Sequence, residues 1–142
     1  MTWERVYTIW HYHDGPRSGV ADFQDSPHFF VCVFDEAQDD WSDLFQLSAI
    51  DPSLMPLIEE RREIFLRWKR ALLEKKTPID THPALPGERA RYDEISKTID
   101  PMSANPKNPR MARASFRKIN VDGLGTEVEW QLVRGEVNTA TG

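Results

Sequence analysis

Val6–Glu36, VYTIWHYHDGPRSGVADFQDSPHFFVCVFDE, is the stretch of this 142-residue chain whose reading decides the fold. Val6, Tyr7, Ile9, Trp10 and Tyr12 are β-branched or aromatic residues, which suit a pleated, half-buried surface. Asp14-Gly-Pro-Arg-Ser-Gly19 punctuates the run with Gly and Pro, and Gln24-Asp-Ser-Pro27 is a second, shorter turn. Phe29 to Phe34 is then almost continuously apolar, the pattern of a strand covered on both faces. Three successive antiparallel strands are expected, the third central in its sheet.

Register decides which side chains meet, because a one-residue slip inverts every face. Pairing His13 with Val20 and Phe23 with His28 groups Trp10, Tyr12, Ala21, Phe23, His28, Phe30, Cys32 and Phe34 on one face. Ile9, His11, His13, Val20, Asp22, Phe29, Val31 and Val33 then share the other, with His11 opposite Asp22.

Beyond this stretch, Asp43–Ile50 fits a short strand or one helical turn. Ser53, with Pro56 behind it, reads as the cap of a long helix reaching Lys76. Leu54, Leu57, Ile58, Phe65, Trp68, Ala71 and Leu72 keep helical spacing, and Arg61 interrupts the stripe. Glu59, Glu60 and Glu63 precede Arg67, Lys69, Arg70, Lys75 and Lys76, an order that suits the helix dipole. Such a helix spans about 35 Å and is expected to cover a sheet face. A shorter helix over Glu88–Ile99 turns Tyr92, Ile95 and Ile99 inward; the proline-rich Asp100–Met111 should be extended. Strands are expected at Ala114–Val121 and Thr126–Val133, joined by a turn at Asp122–Gly125, with Val128, Trp130 and Leu132 alternating against polar neighbours. The expectation is an α+β fold: an antiparallel sheet or partly closed SH3-like barrel, made of the N-terminal meander and a C-terminal hairpin, packed on one long and one shorter helix. Residues 1–133 read as a single domain and 134–142 as a flexible tail.

Composition narrows the function. Net charge is −5, which disfavours a general nucleic-acid binder, and no apolar run approaches the length of a membrane span. No basic-then-apolar leader opens the chain, and its single cysteine forbids an internal disulfide, so a cytosolic setting is expected. Charge is nonetheless segregated. Asp35, Glu36, Asp39, Asp40 and Asp43 contain no base among them, a run that reads as a solvated loop; Lys107, Arg110, Arg113, Arg117 and Lys118 contain no acid.

Three sets of residues carry chemistry. His11 and His13, two apart on a strand, share a face and could chelate a metal with Asp22 as third ligand. Core-capping or solvent-facing histidines are the simpler reading, and no further ligand cluster is present, so no cofactor is expected. Cys32 and His28 are spaced as a thiol and its base, but four residues along a strand separate them by roughly 13 Å. Cys32 therefore reads as a buried small hydrophobe, and no catalytic residue is assigned. In the Asp14–Gly19 loop, Arg17 could meet a carboxylate or phosphate in bidentate fashion and the glycines allow close approach; the simpler reading is that Gly and Pro shape the turn while Asp14 and Arg17 pair with each other or with solvent. Asp14, Arg17, His11 and His13 are the binding residues expected at the open end of the first hairpin, where histidine would make binding vary between about pH 5.5 and 7.5.

Tyr12-x-Asp14-Gly-Pro-Arg-Ser-Gly-Val-Ala21, Pro27-His28-x-Phe30-x-Cys32-x-x-Asp35-Glu36, Thr81-His-Pro-Ala-Leu-Pro-Gly87 and Val128-Glu-Trp130 together resemble a group of small, uncharacterised bacterial proteins. The resemblance implies a bacterial, cytosolic, single-domain protein and brings no activity. Two function classes follow from the residues: a non-enzymatic binding module for a protein partner, such as an immunity- or antitoxin-like factor, and a small metal-dependent hydrolase using His11, His13 and Asp22.

Overall fold

In the computed structural model, which describes residues 2–10, 16–119 and 125–133, six strands form a closed antiparallel barrel. They are β1 (Trp3–Trp10), β2 (Ser18–Phe23), β3 (Ser26–Asp35), β4 (Asp40–Ala49), β5 (Arg110–Lys118) and β6 (Thr126–Leu132). Each pairs with the next, and β1 closes the ring on β6 through Trp3↔Glu129, Glu4↔Val128 and Arg5↔Glu127. The α+β class and the barrel are as expected, with closure complete rather than partial. Closure leaves no sheet edge exposed to pairing with another chain.

Alternation fills the interior. Ala21, Phe23, Phe30, Cys32, Phe45, Leu47, Ala112 and Val128 form one buried cluster, with Val6, Ile9, Phe116 and Trp130 packed against it. Phe30 is wholly buried, its ring centroid 5.8 Å from Phe45, 5.7 Å from Phe116 and 5.9 Å from Trp130. At these separations the rings make tilted and edge-to-face contacts, the favoured geometry for aromatic pairs.

The expected register is corrected at two places. β2 and β3 pair as Ala21↔His28 and Phe23↔Ser26, a shift of two residues that leaves the faces as read. Between β1 and β2 the partners are Thr8↔Val20 and Trp10↔Ser18, and Val20 therefore does not pair with His13. That slip is odd-numbered, so it inverts β1: Ile9 packs on the core, whereas Trp10 sits beside Phe29, 6.1 Å between centroids. A bulge between Val6 and Thr8 breaks the alternation that the sequence reading assumed. The β2–β3 turn is only Gln24–Asp25, with φ of 53° and 64°, and the Asp25 N–H donates to the Glu4 carboxylate. Positive φ at both central residues gives the turn that matches strand twist.

Residues 51–105 form a second compact unit, inserted in the chain between β4 and β5. Its helices are α1 (Met55–Leu73) and α2 (Arg89–Ala104), which pack on each other. Asp51, not Ser53, supplies the cap: its carboxylate accepts from the Ser53 N–H at the start of a short 3-10 turn. Since α1 begins at Met55, Glu59, Glu60 and Glu63 lie beyond its first turn, where the dipole has little effect. The buried stripe is Ile58, Arg61, Ile64 and Trp68. Arg61 does not break the stripe but belongs to it, donating from Nη1 to Ser96 Oγ (2.9 Å) and Asp100 Oδ1 (2.8 Å). Arg91 clasps Glu60, and Arg67 clasps Glu88, each through two guanidinium nitrogens. α2 runs through Pro101 to Ala104, past the expected end at Ile99.

Candidate functional site

Because every strand runs opposite to its neighbours, the β1–β2, β3–β4 and β5–β6 connections all leave from one end of the barrel. Four side chains define this mouth. Arg17 directly precedes β2, and its carbonyl accepts from the Cys32 N–H at 2.6 Å. Cys32 lies at the top of the filled interior, 5% exposed. Phe34 continues the inward alternation of Phe30 and Cys32, but past the rim, where it is 41% exposed. Trp41 pairs with it across the hairpin and is 42% exposed. Their rings meet edge to face at 5.1 Å, and the Arg17 guanidinium lies 5.3 Å from the Trp41 ring.

A second irregularity shapes the mouth. Between Cys32↔Phe45 and Phe34↔Trp41 the β3–β4 register shifts, and β4 carries the extra residues. Ser42 satisfies the displaced backbone: its hydroxyl donates to the Val33 carbonyl (2.7 Å) and accepts from the Leu44 N–H (3.1 Å). The Cys32 thiol donates to the Ser42 carbonyl at 3.0 Å. Burial pushes this thiol's pKa up, an effect partly offset by the neighbouring Arg17 guanidinium. Buried and hydrogen-bonded, the thiol packs as a small core group. His28 is four residues away on β3, its Nδ1 2.7 Å from the Ser26 carbonyl and its ring edge-on to Phe23, so no thiol–imidazole pair forms.

The acidic run is not wholly a loop, since Asp40 and Asp43 belong to β4. Asp35 accepts from the Ala37 and Gln38 N–H groups and Asp40 from the Trp41 N–H, which fixes the turn. Among the described residues only Asp43 of the five acids is ion-paired, with Arg113.

Of the binding residues expected from sequence, Arg17 reaches this mouth, while His11, His13 and Asp14 lie outside the described residues. Asp22 is engaged elsewhere: its carboxylate accepts from the Tyr7 hydroxyl at 2.9 Å and its carbonyl from Trp130 Nε1 at 2.9 Å. Among the described residues no three His, Cys, Asp or Glu side chains are grouped as metal ligands. Gly19 has a role other than ligand approach. A Cβ there would stand 2.1 Å from the Thr8 carbonyl and 2.9 Å from the Phe30 ring, so Gly19 lets β1 and the core ring close in. His82 is absorbed in packing, 4.7 Å from the Trp68 ring. Sequence reading missed Phe34 and Trp41; the available signal was two large aromatics flanking an acidic turn.

No protein-family model, no curated protein and no solved structure matches this chain. Among the described residues no helix is long and apolar enough to cross a membrane.

Proposed function

We propose that this chain is a small, non-enzymatic binding module acting on a protein partner in the bacterial cytosol, of the kind represented by immunity or antitoxin factors. The observation that carries this reading is the construction of the mouth. The interior beneath it is packed with the rings of Phe30, Phe45, Phe116 and Trp130, which speaks for recognition at the surface rather than in a chamber. Above them the exposed Phe34–Trp41 pair and Arg17 sit on a closed barrel, and aromatic and arginine side chains on rigid supports are what protein interfaces most often use as anchors. The buried, hydrogen-bonded state of Cys32 supports a role without covalent chemistry. The cytosolic setting rests on the lone cysteine, and the bacterial one on the sequence resemblance.

The test is co-purification with the parent chain and an Arg17→Ala, His13→Ala double variant as parallel baits. A protein retained by the parent and lost by the folded double variant supports the reading. Identical partners on both baits contradict it. Stoichiometric metal in untagged protein would instead favour a hydrolase using His11 and His13, with a third ligand other than Asp22, which the β1–β2 register sets beside the start of β1.

A further inference from the structure

The mouth carries apolar exposure and unbalanced charge together. Phe34 and Trp41 expose two-fifths of their surface at a hairpin tip, 41% and 42%, where burying them in the barrel was the alternative. Asp35, Glu36, Asp39 and Asp40 lie in or beside the same turn, and none is ion-paired among the described residues. Among the described residues, Arg17, Arg113, Arg117 and Lys118 stand toward this end; Arg113 and Arg117 pair with Asp43 and Glu127, and Arg17 with Lys118 are fewer than the four acids of the turn. Trp41 also accepts a guanidinium in the protein itself, since Arg17 sits over its ring and still leaves it 42% exposed. An indole face of this kind attracts a cation electrostatically, and carboxylates around it add bidentate acceptors for a second guanidinium.

Resting on the binding-module reading, we infer that the β3–β4 tip docks an arginine-bearing basic segment of the partner, with a guanidinium stacked on Trp41 and paired to the carboxylates of the turn. Arginine is favoured over lysine because its planar head satisfies ring and carboxylate together, whereas an ammonium acts as a point charge. The acids bring the partner in and the aromatic pair holds it.

The probe is a fluorescein-labelled Gly-Arg repeat peptide, with a Gly-Lys repeat of equal length beside it, measured by fluorescence anisotropy at low salt. The parent should bind the arginine peptide more tightly than the lysine one. Trp41→Ala leaves net charge untouched and should weaken arginine-peptide binding by about five- to tenfold. Trp41→Leu, which keeps apolar bulk, should weaken it likewise. Asp39→Asn with Asp40→Asn should also weaken it, whereas Glu59→Gln with Glu63→Gln, removing equal charge from α1, should not. Circular dichroism and melting curves confirm that each variant folds. The inference is overturned if the parent does not prefer arginine, if both Trp41 variants bind as the parent does, or if the α1 control weakens binding equally. It is overturned too if the protein self-associates through this tip and Trp41→Ala makes it monomeric, since the occupant is then a second copy. Absence of peptide binding beside loss of a protein partner in the Arg17 variant would remove this inference and leave the binding-module reading standing.

Discussion

Gly19→Ala should cripple the barrel, and the reason lies in backbone geometry. The added methyl would stand 2.1 Å from the Thr8 carbonyl oxygen, 2.9 Å from the Phe30 ring and 3.0 Å from the Ile9 Cα. Ordinary van der Waals contact lies near 3.5–4.0 Å, so β1 must retreat by about an ångström or more. The retreat acts on the β1–β2 ladder beside Thr8↔Val20 and Ile9↔Gly19, where strands normally stand about 4.8 Å apart. Overpacking usually costs 1–3 kcal/mol, and with a backbone atom as the obstacle the loss should reach about 3 kcal/mol. Urea unfolding followed by tryptophan emission measures it, because Trp3, Trp10, Trp41 and Trp130 all belong to the barrel unit. Phe30→Leu relieves the ring but not the carbonyl, so the double variant should recover only a minor part of the loss. A Gly19→Ala loss below about 1 kcal/mol, or rescue by Phe30→Leu, would refute the reasoning.

Other consequences are equally measurable. Cys32 should react with a thiol reagent only as the protein unfolds, and rapid labelling of the native state would show that the mouth is open to the thiol. In the helical unit Ile64→Ala should cost about 2–5 kcal/mol, Ile64 being 1% exposed, and more than an equivalent truncation at half-buried Leu57 or Leu66 would; equal losses in melting curves would contradict the assigned stripe. Asp100→Ala leaves the buried Arg61 guanidinium short of its carboxylate and should cost about 1–3 kcal/mol by chemical denaturation, whereas Asp80→Ala should be near neutral. Hydrogen bonds from Arg91 and Arg67 hold the Glu60 and Glu88 carboxyls below their ordinary 4.5. A depressed carboxyl pKa adds stability above the unfolded value and loses it as pH falls through the folded one. Replacing both arginines with methionine should therefore flatten the fall in Tm below pH 4.5, and an unchanged acid limb would count against these pairs.

The meander was legible because Gly, Pro and Asp cluster between apolar runs, and the Phe29–Phe34 run fitted a strand paired on both sides. The register of β1 was not legible. Tyr7, Ile9 and Trp10 leave both of its faces apolar or aromatic, so alternation alone does not reveal the bulge after Val6. Likewise Arg61 looked like an interruption because its partners, Ser96 and Asp100, lie more than thirty residues away on α2. Helix–helix pairing of that range has no local signature. The mouth was half legible: Arg17 follows from turn chemistry, but Phe34 and Trp41 look like core residues until the rim of the barrel is located. A strand's alternation says which way a side chain points, not where the barrel ends.

Whether the mouth is the binding surface is measured most directly by amide chemical-shift mapping while the Gly-Arg peptide is titrated into isotopically labelled protein. Shifts should concentrate at Arg17, Cys32–Asp43 and the Trp41 indole N–H, and should vanish in Trp41→Ala. Shifts confined to α1 and α2, or spread evenly over the barrel wall, would contradict the assignment.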